Sequence, residues 1–285
     1  MSSHVKIAFF GTSRFAVIVF DQLLQNGFVP ALLVTQPDRP QGRKLQLAPS
    51  PAKTWAHEHN VPVLQPEQLD NAFVQTIQNS GYQLGIVASY GTIIPKNTLS
   101  IFPHGILNVH PSLLPKYRGT SPLQSTILAD DKNTGVTIIV LDEKMDHGPI
   151  VALEKIPIQN WPPNVLALED TLAQAGGSLL AQIIEPWQKG EIVPKEQDDS
   201  QATYTKKISK SDGELDLVGD PYKNYLKIRA FDPWPGTFFF IERNNKKTRI
   251  KITKASYDNG ELRIERIIPE GGREISYQDF HRNLT

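Results

Sequence analysis

Ile106-Leu107-Asn108-Val109-His110-Pro111-Ser112-Leu113-Leu114-Pro115 is the stretch on which the reading of this chain turns. Its first five residues make a short strand, and Pro111 ends it. Similar apolar runs stand at Val5–Phe10, Val29–Thr35, Val61–Leu64, Leu84–Ser89, Gly135–Leu141 and Ile150–Ile158. Helical patterns fall between them. Ser13 is placed as the N-cap of one that carries Val17, Ile18, Phe20, Leu23 and Leu24 and stops at Gly27. Others cover Thr54–Asn60, Ser121–Ala129 and Val165–Trp187. Strands alternating with helices predict an α/β fold, a doubly wound, Rossmann-like parallel sheet over residues 1–190.

The pattern fails over 191–203, where Gln197-Asp198-Asp199-Ser200-Gln201 is polar and aperiodic, so a linker is placed there. Beyond it, over 204–285, come a helix near Pro221–Ala230 and strands at Thr237–Ile241, Thr248–Ala255 and Glu261–Ile268. Asp258-Asn259-Gly260 marks a hairpin between the last two. Five or so short strands predict a small β-barrel.

The chain has 285 residues, 39% hydrophobic and 21% charged, which suits a globular protein with two domains. It has no cysteine, so disulfides, thiolate catalysis and cysteine-based zinc sites are excluded. The first residues lack the pattern of a signal peptide, and no apolar run spans a membrane, so a cytoplasmic location is expected. Thirty basic residues balance thirty acidic ones, which argues against simple coating of nucleic acid. From Thr203 onward, however, 16 Lys and Arg face 12 Asp and Glu. Arg243, Lys246, Lys247, Arg249, Lys251 and Lys254 are opposed there only by Glu242. Alone, this reads as a solvated strand face. Beside an RNA substrate it reads as a local phosphate contact.

Gly11-Thr12-Ser13-Arg14-Phe15-Ala16 opens the first helix but lacks the second glycine of a dinucleotide fingerprint. The second strand ends on Thr35-Gln36-Pro37 rather than on an acid, so a nicotinamide dehydrogenase is disfavoured. Asn108 and His110, two apart on a strand, project to one side. An amide and an imidazole there suit polarising a carbonyl and holding an oxyanion. The plain alternative is a buried pair that satisfies backbone groups. Asp142, Glu143 and Asp146 follow the Gly135–Leu141 strand, and any of them could serve His110 as the acid of a triad. His57 and His59 point apart on a helix, so no metal is expected. Residues 36–53 hold four prolines with Arg39, Arg43, Lys44 and Lys53 and show no period, so a long basic loop is expected.

Asn108-x-His110 with Ser112-Leu113-Leu114-Pro115-x-Tyr117-Arg118-Gly119 resembles the signature of the 10-formyltetrahydrofolate-dependent formyltransferases. Over nearly its whole length the chain resembles the branch of that family that formylates methionyl initiator tRNA. Gly11-Thr12-x-x-Phe15-Ala16-Val17, Thr35-Gln36-Pro37-Asp38-Arg39-Pro40-x-Gly42-Arg43-Lys44, Lys206-Lys207-Ile208-Ser209-Lys210-x-Asp212-Gly213 and Arg229 to Thr237 carry that likeness. It implies Asn108, His110 and Asp146 as catalytic residues. It implies a folate site at Ser112, Leu113, Leu114 and Pro115, with main chain from Ser89, Tyr90, Gly91, Leu141 and Asp142. It implies tRNA contacts at Arg39, Arg43, Lys44, Lys53, Lys206 and Lys207, an OB-like form for the C-terminal barrel, and a monomer. Leu217 departs from the family, which usually has Trp there, and the C-terminal barrel is short. Two other readings stand beside it. One is a formyltransferase for an amino-sugar nucleotide, which has no need of the Arg39–Lys53 loop. The other is an RNA-binding protein on an inactive transferase scaffold, which the Asn108, His110 and Asp146 trio opposes.

Overall fold

The structure, a computed structural model, describes residues 5–41, 46–243 and 246–282. The chain forms two compact units. One comprises Met1–Gly119, Asn133–Ile156 and Glu169–Tyr204; the other comprises Thr120–Lys132, Pro157–Leu168 and Thr205–Thr285.

The first unit is built on a seven-stranded sheet. Its spatial order is Ile150–Lys155, Gly135–Val140, Ile106–His110, Leu84–Ala88, Ile7–Gly11, Leu32–Val34, Val63–Leu64. The five strands from Ile106–His110 to Val63–Leu64 run parallel. Gly135–Val140 runs antiparallel to Ile106–His110, and Ile150–Lys155 antiparallel to it. The acidic segment after Val140 therefore leaves the sheet beside Ile106, whose carbonyl accepts from the Leu141 N–H, and not at the His110 end expected for a parallel strand.

Alternation along the strands fills two cores. Phe9, Leu107, Val109 and Ile138 pack with Val19, Phe20 and Leu23 of the Arg14–Gln25 helix and with Leu180 and Ile184 of the Val165–Gln188 helix. Ala8, Phe10, Val34 and Ile106 pack on the other face with Phe73 and Ile77. These last two belong to an Asn71–Asn79 helix that the sequence reading did not include, capped by Asp70 on the Phe73 N–H. Ser13 takes the N-cap position of the first helix but makes no capping bond, whereas Ser50 caps the Pro51–Glu58 helix through the Lys53 N–H. The expected patternless loop over 36–53 includes a short antiparallel ladder, Arg39–Gln41 with Gln46–Ala48. Arg43 and Lys44 lie outside the described residues.

In the second unit, four strands form one antiparallel sheet in the order Thr237–Arg243, Lys246–Asp258, Glu261–Pro269, Ile275–Ser276. Asp258 pairs with Glu261 across the expected hairpin turn. Leu215, Phe239, Ile250, Ile252 and Ile267 make its core. Asp130 ties this unit together by accepting from Trp161 Nε1 at 2.6 Å and from the Tyr222 hydroxyl at 2.9 Å. Burial, with Asp130 beside it, pushes the Tyr222 phenol up to about 12.

Gly176 sets how closely the long helix approaches the central strand, because a Cβ there would stand 2.5 Å from Val109 Cγ1. Mid-helix Gly→Ala ordinarily stabilises by about 1 kcal/mol. Here the new methyl meets a β-branched side chain with little freedom, and overpacking costs about 1–3 kcal/mol. Gly176→Ala is therefore expected to lower the thermal midpoint; a raised midpoint in calorimetry would show that the helix can shift away at no cost.

Candidate active site

The Ile106–His110 strand presents two unlike faces. Leu107 and Val109 enter the core beneath the long helix, which leaves Asn108 and His110 together on the other face. Both are buried, at 7% and 4% exposure. The segment after Val140 folds back over this face and brings Asp146 to them. Asp146 Oδ1 lies 3.3 Å from Asn108 Nδ2, which donates to it, and 3.6 Å from His110 Nδ1. Asp146 Oδ2 accepts from the Gly119 N–H at 2.8 Å. His110 Nε2 lies 3.0 Å from the Tyr117 carbonyl oxygen. A carbonyl can only accept, so Nε2 carries a hydrogen and Nδ1 is the nitrogen that faces the carboxylate.

The other two acids are engaged elsewhere. Asp142 accepts from His147 Nδ1 at 2.6 Å and from the Lys144 N–H at 2.9 Å. Glu143 pairs with Lys96 at 2.7 Å on the surface. Asp146 alone of the three touches the Asn108 and His110 pair, an outcome that spacing left open.

Around the trio the backbone is held in irregular shapes. Asp146 has φ 50°, a left-handed conformation that Asp tolerates better than most residues. Gly148 is required two residues on, since a Cβ there would run into the Val140 carbonyl oxygen. Thr137, opposite His110 in the ladder, donates its hydroxyl to the Ser112 carbonyl at 2.7 Å and accepts from the Leu114 N–H at 3.1 Å. The Ser112 hydroxyl donates to the Lys116 carbonyl at 2.7 Å. These bonds fix the turn from Ser112 through Leu114 to Pro115.

Ser89 and Gly91 follow the Leu84–Ala88 strand with φ of 47° and 88°, and both are exposed. Between them Tyr90 is buried against Phe10, and its phenol is pushed up to about 12 by burial. That stretch thus offers main chain, not the Tyr90 side chain, at the C-terminal end of a parallel strand, where α/β sheets bind ligands. Leu141 and Asp142 are half-buried at the other end of the acidic segment.

Of the cations read as tRNA contacts, Arg39 is exposed and Lys53 donates to Asp38 at 2.7 Å. Asp38 also accepts from Gln65 at 2.7 Å, and the Lys53 bond leads in holding its carboxyl below the usual range. Lys206 and Lys207 are exposed in the second unit, Lys206 beside Asp212 at 3.1 Å. His57 and His59 do not meet: His59 stacks on Trp55. Among the described residues, no group of three or more His, Cys, Asp or Glu could hold a metal, and no helix is long and apolar enough to cross a membrane.

Sequence reasoning missed Arg118 and Gln197. Arg118, only 1% exposed, gives Nε and Nη2 to Gln197 Oε1 at 3.0 and 2.8 Å, and Nη2 to Asp199 Oδ1 at 2.8 Å. The one signal for Arg118 was its place beside Gly119 in the signature. Gln197 had none, because it lies in the polar stretch taken for a linker.

The formyl transferase family model matches residues 5–184, and the formyl transferase C-terminal domain model matches 207–262. The chain is 40% identical over 271 residues to a methionyl-tRNA formyltransferase of Thermus thermophilus, covering 94% of this chain and 86% of the relative. It is 44% identical over 257 residues to one of Chloroflexus aurantiacus, covering 89% and 82%. Among solved structures, an N-formyltransferase from Helicobacter canadensis in complex with folinic acid and dTDP-3-aminofucose aligns with a TM-score of 0.63 over 95% of this chain and 98% of that chain. At 17% identity, that likeness is one of fold.

Arg118 is also the leading cause that holds the Asp199 carboxyl below its ordinary value of 3.8. A depressed carboxyl contributes stability above its unfolded value and loses it as pH falls through the folded one. The gap in thermal midpoint between the native chain and Asp199→Asn is expected to stay constant from pH 7 to about 5 and to close below about 4. A gap that does not change down to pH 2 would mean that the ion pair contributes nothing.

Proposed function

Because the chain belongs to the formyl transferase family, we propose that it carries a formyl group from 10-formyltetrahydrofolate to the α-amine of methionyl initiator tRNA, for translation initiation. The observation that carries this reading is the 40% and 44% identity to methionyl-tRNA formyltransferases over more than four-fifths of both chains. The likeness to the amino-sugar enzyme, at 17% identity, is one of fold. The intact Asn108, His110 and Asp146 cluster supports an enzyme rather than an inactive RNA-binding scaffold.

The residues present fit the folate co-substrate. Main chain at Ser89, Tyr90 and Gly91 stands at the C-terminal end of the central Leu84–Ala88 strand, and open space stands where a Gly91 Cβ would be. Ser112, Leu113, Leu114 and Pro115, with Leu141 and Asp142, complete the proposed binding set. When bound, the co-substrate supplies an electrophilic formyl carbon on a nitrogen leaving group.

The free amine attacks that carbon, and charge gathers on the formyl oxygen. Asn108 and His110 are the proposed N–H donors that hold it, His110 through the Nε2 hydrogen that it shares with the Tyr117 carbonyl. Asn108 Nδ2 has a second hydrogen beyond the one given to Asp146. Asp146, beside Nδ1, orients the ring. One proton must leave the amine and one must reach the departing nitrogen; a water held by Asn108, His110 and Asp146 is the proposed relay. No covalent enzyme intermediate is needed. On the tRNA side, Arg39, Arg43, Lys44, Lys53, Lys206 and Lys207 are the proposed phosphate contacts.

Loss of one oxyanion donor lowers turnover on the order of 10²–10³-fold. Asn108→Ala and His110→Ala are expected to fold and lose kcat on that scale. Asp146→Asn should remove most activity, with Asp142→Asn and Glu143→Gln milder. The assay offers 10-formyltetrahydrofolate with methionyl-tRNA and, in parallel, an amino-sugar nucleotide. Formylation of the sugar alone would overturn the proposal. Lys206→Ala with Lys207→Ala is expected to raise KM for methionyl-tRNA and flatten its salt dependence, since fewer counterions are released.

A further inference from the structure

Gln197 joins the catalytic turn to a buried cation. Its amide nitrogen donates to the main-chain oxygens of Asp146 at 2.9 Å and Gly148 at 2.8 Å. Its amide oxygen accepts two bonds from the Arg118 fork. Both amide hydrogens and both lone pairs are thereby used, so the side chain has one orientation only. Arg118 in turn is fixed by Asp199 and, at 3.3 Å, by the Tyr204 hydroxyl. The residue after Arg118 is Gly119, whose N–H holds the Asp146 carboxylate. The Asp146 turn is thus gripped at its main chain through Gln197, which the Arg118 guanidinium holds, and at its carboxylate through Gly119, the next residue in the chain.

Asp146 needs such a grip. A non-glycine residue at φ 50° persists when its surroundings over-determine it. The Val140 carbonyl closes one side of the turn against Gly148, and Gln197 supplies hydrogen bonds to the carbonyls on either side of His147. His147 itself is clamped between Asp142 and Asp199, with its Nε2 3.4 Å from Asp199 Oδ2. The segment read as a linker therefore reaches the catalytic cluster by way of the turn's backbone.

We propose that Gln197, backed by Arg118, is a positioning residue for formyl transfer: it holds the Asp146–Gly148 turn so that the Asp146 carboxylate stays aimed at His110 and Asn108. The proposal rests on the formyl-transfer reading above. Gln197→Glu tests it. The new carboxylate keeps the size of the side chain and still accepts from Arg118, but it cannot donate to the two carbonyls. Gln197→Met removes the donors without adding charge and guards against an effect of charge or misfolding.

Two readouts separate positioning from a general brace. The first is hydrogen exchange of the Gly119 amide, which reports the seat of the Asp146 carboxylate without any turnover. It is expected to quicken on the order of tenfold in both variants, with amides of the Ile106–His110 strand unchanged. The second is kinetics with 10-formyltetrahydrofolate and methionyl-tRNA. A misplacement near 1 Å costs on the order of 10²-fold, so kcat is expected to fall on that scale with KM for both substrates little changed. In an Asp146→Asn background the same substitutions are expected to cost nothing further, because residues acting as a unit are not additive. Unchanged Gly119 exchange overturns the proposal, and so does a loss of kcat that persists in full with Asp146 replaced. Absence of formyl transfer by the native chain would instead overturn the functional reading, and Gly119 exchange would still decide whether Gln197 seats Asp146.

Discussion

Everything at the candidate site depends on one strand whose two faces differ. Leu107 and Val109 are buried beneath a helix, and full burial of such side chains is worth about 1.5–3 kcal/mol each. That burial fixes the register. A slip by one residue would drive Asn108 and His110 into the apolar core beneath the helix, away from Asp146 and the Tyr117 carbonyl, and put the two aliphatic residues among those polar groups. The polar pair is thus held by the cost of burying it on the wrong side. Gly176 lets the covering helix come close enough for that contact. The chemistry of one face is secured by the packing of the other.

The parts of this arrangement that depend on local pattern were legible. The Ile106–His110 strand came out at its observed bounds, and the Val165–Gln188 helix within a residue, because apolar spacing over such a length has one good solution. Asn108 and His110 were legible for the same reason, since period 2 puts them together. Strand direction was not. Gly135–Val140 alternates equally well either way, and only its pairing with Ile106–His110 shows it antiparallel. The Asn71–Asn79 helix did carry a signal, with Asp70 as its cap and Phe73 and Ile77 four apart, and it was overlooked beside stronger patterns. Arg118 with Gln197 is of another kind. The two lie 79 residues apart, and no period in either segment points to the other. Contacts made once, by one side chain, leave no repeat to read.

The charge distribution suits the large, phosphate-rich partner proposed above. A chain of zero net charge attracts no polyanion from afar, so its cations have to act where they stand. Lys53 is already matched by Asp38 in a half-buried pair at 2.7 Å. On the tRNA reading proposed above, Lys53 would exchange Asp38 for a phosphate oxygen, and Asp38 would keep the Gln65 bond. The same holds for Lys206 beside Asp212, whose carboxyl is held to about 2 chiefly by Ser209, with Lys206 a lesser cause. These acids keep the lysines in defined places without committing them. A small sugar nucleotide, with its two phosphates, has no use for cations spread from residue 39 to residue 207.

The acidic segment shows how a loop can hold geometry as firmly as a strand. Loops are usually the mobile part of a fold, and donors aimed at a developing charge work only if they do not have to reorganise. From Asp142 to Gly148 this segment has no ladder of its own to make it rigid. Its rigidity comes from three kinds of restraint: steric contact at Gly148, the His147–Asp142 hydrogen bond, and hydrogen bonds from Gln197. The neutral bonds have a particular value there. A cation in the place of Gln197 would hold the same carbonyls but would also pull on the Asp146 carboxylate, and so weaken its hold on His110. An amide donates without competing for the charge. The cation, Arg118, stands one side chain farther away, where Asp199 matches it. Separating the charge from the Asp146 carboxylate by a neutral amide leaves that carboxylate to Asn108, the Gly119 N–H and the imidazole.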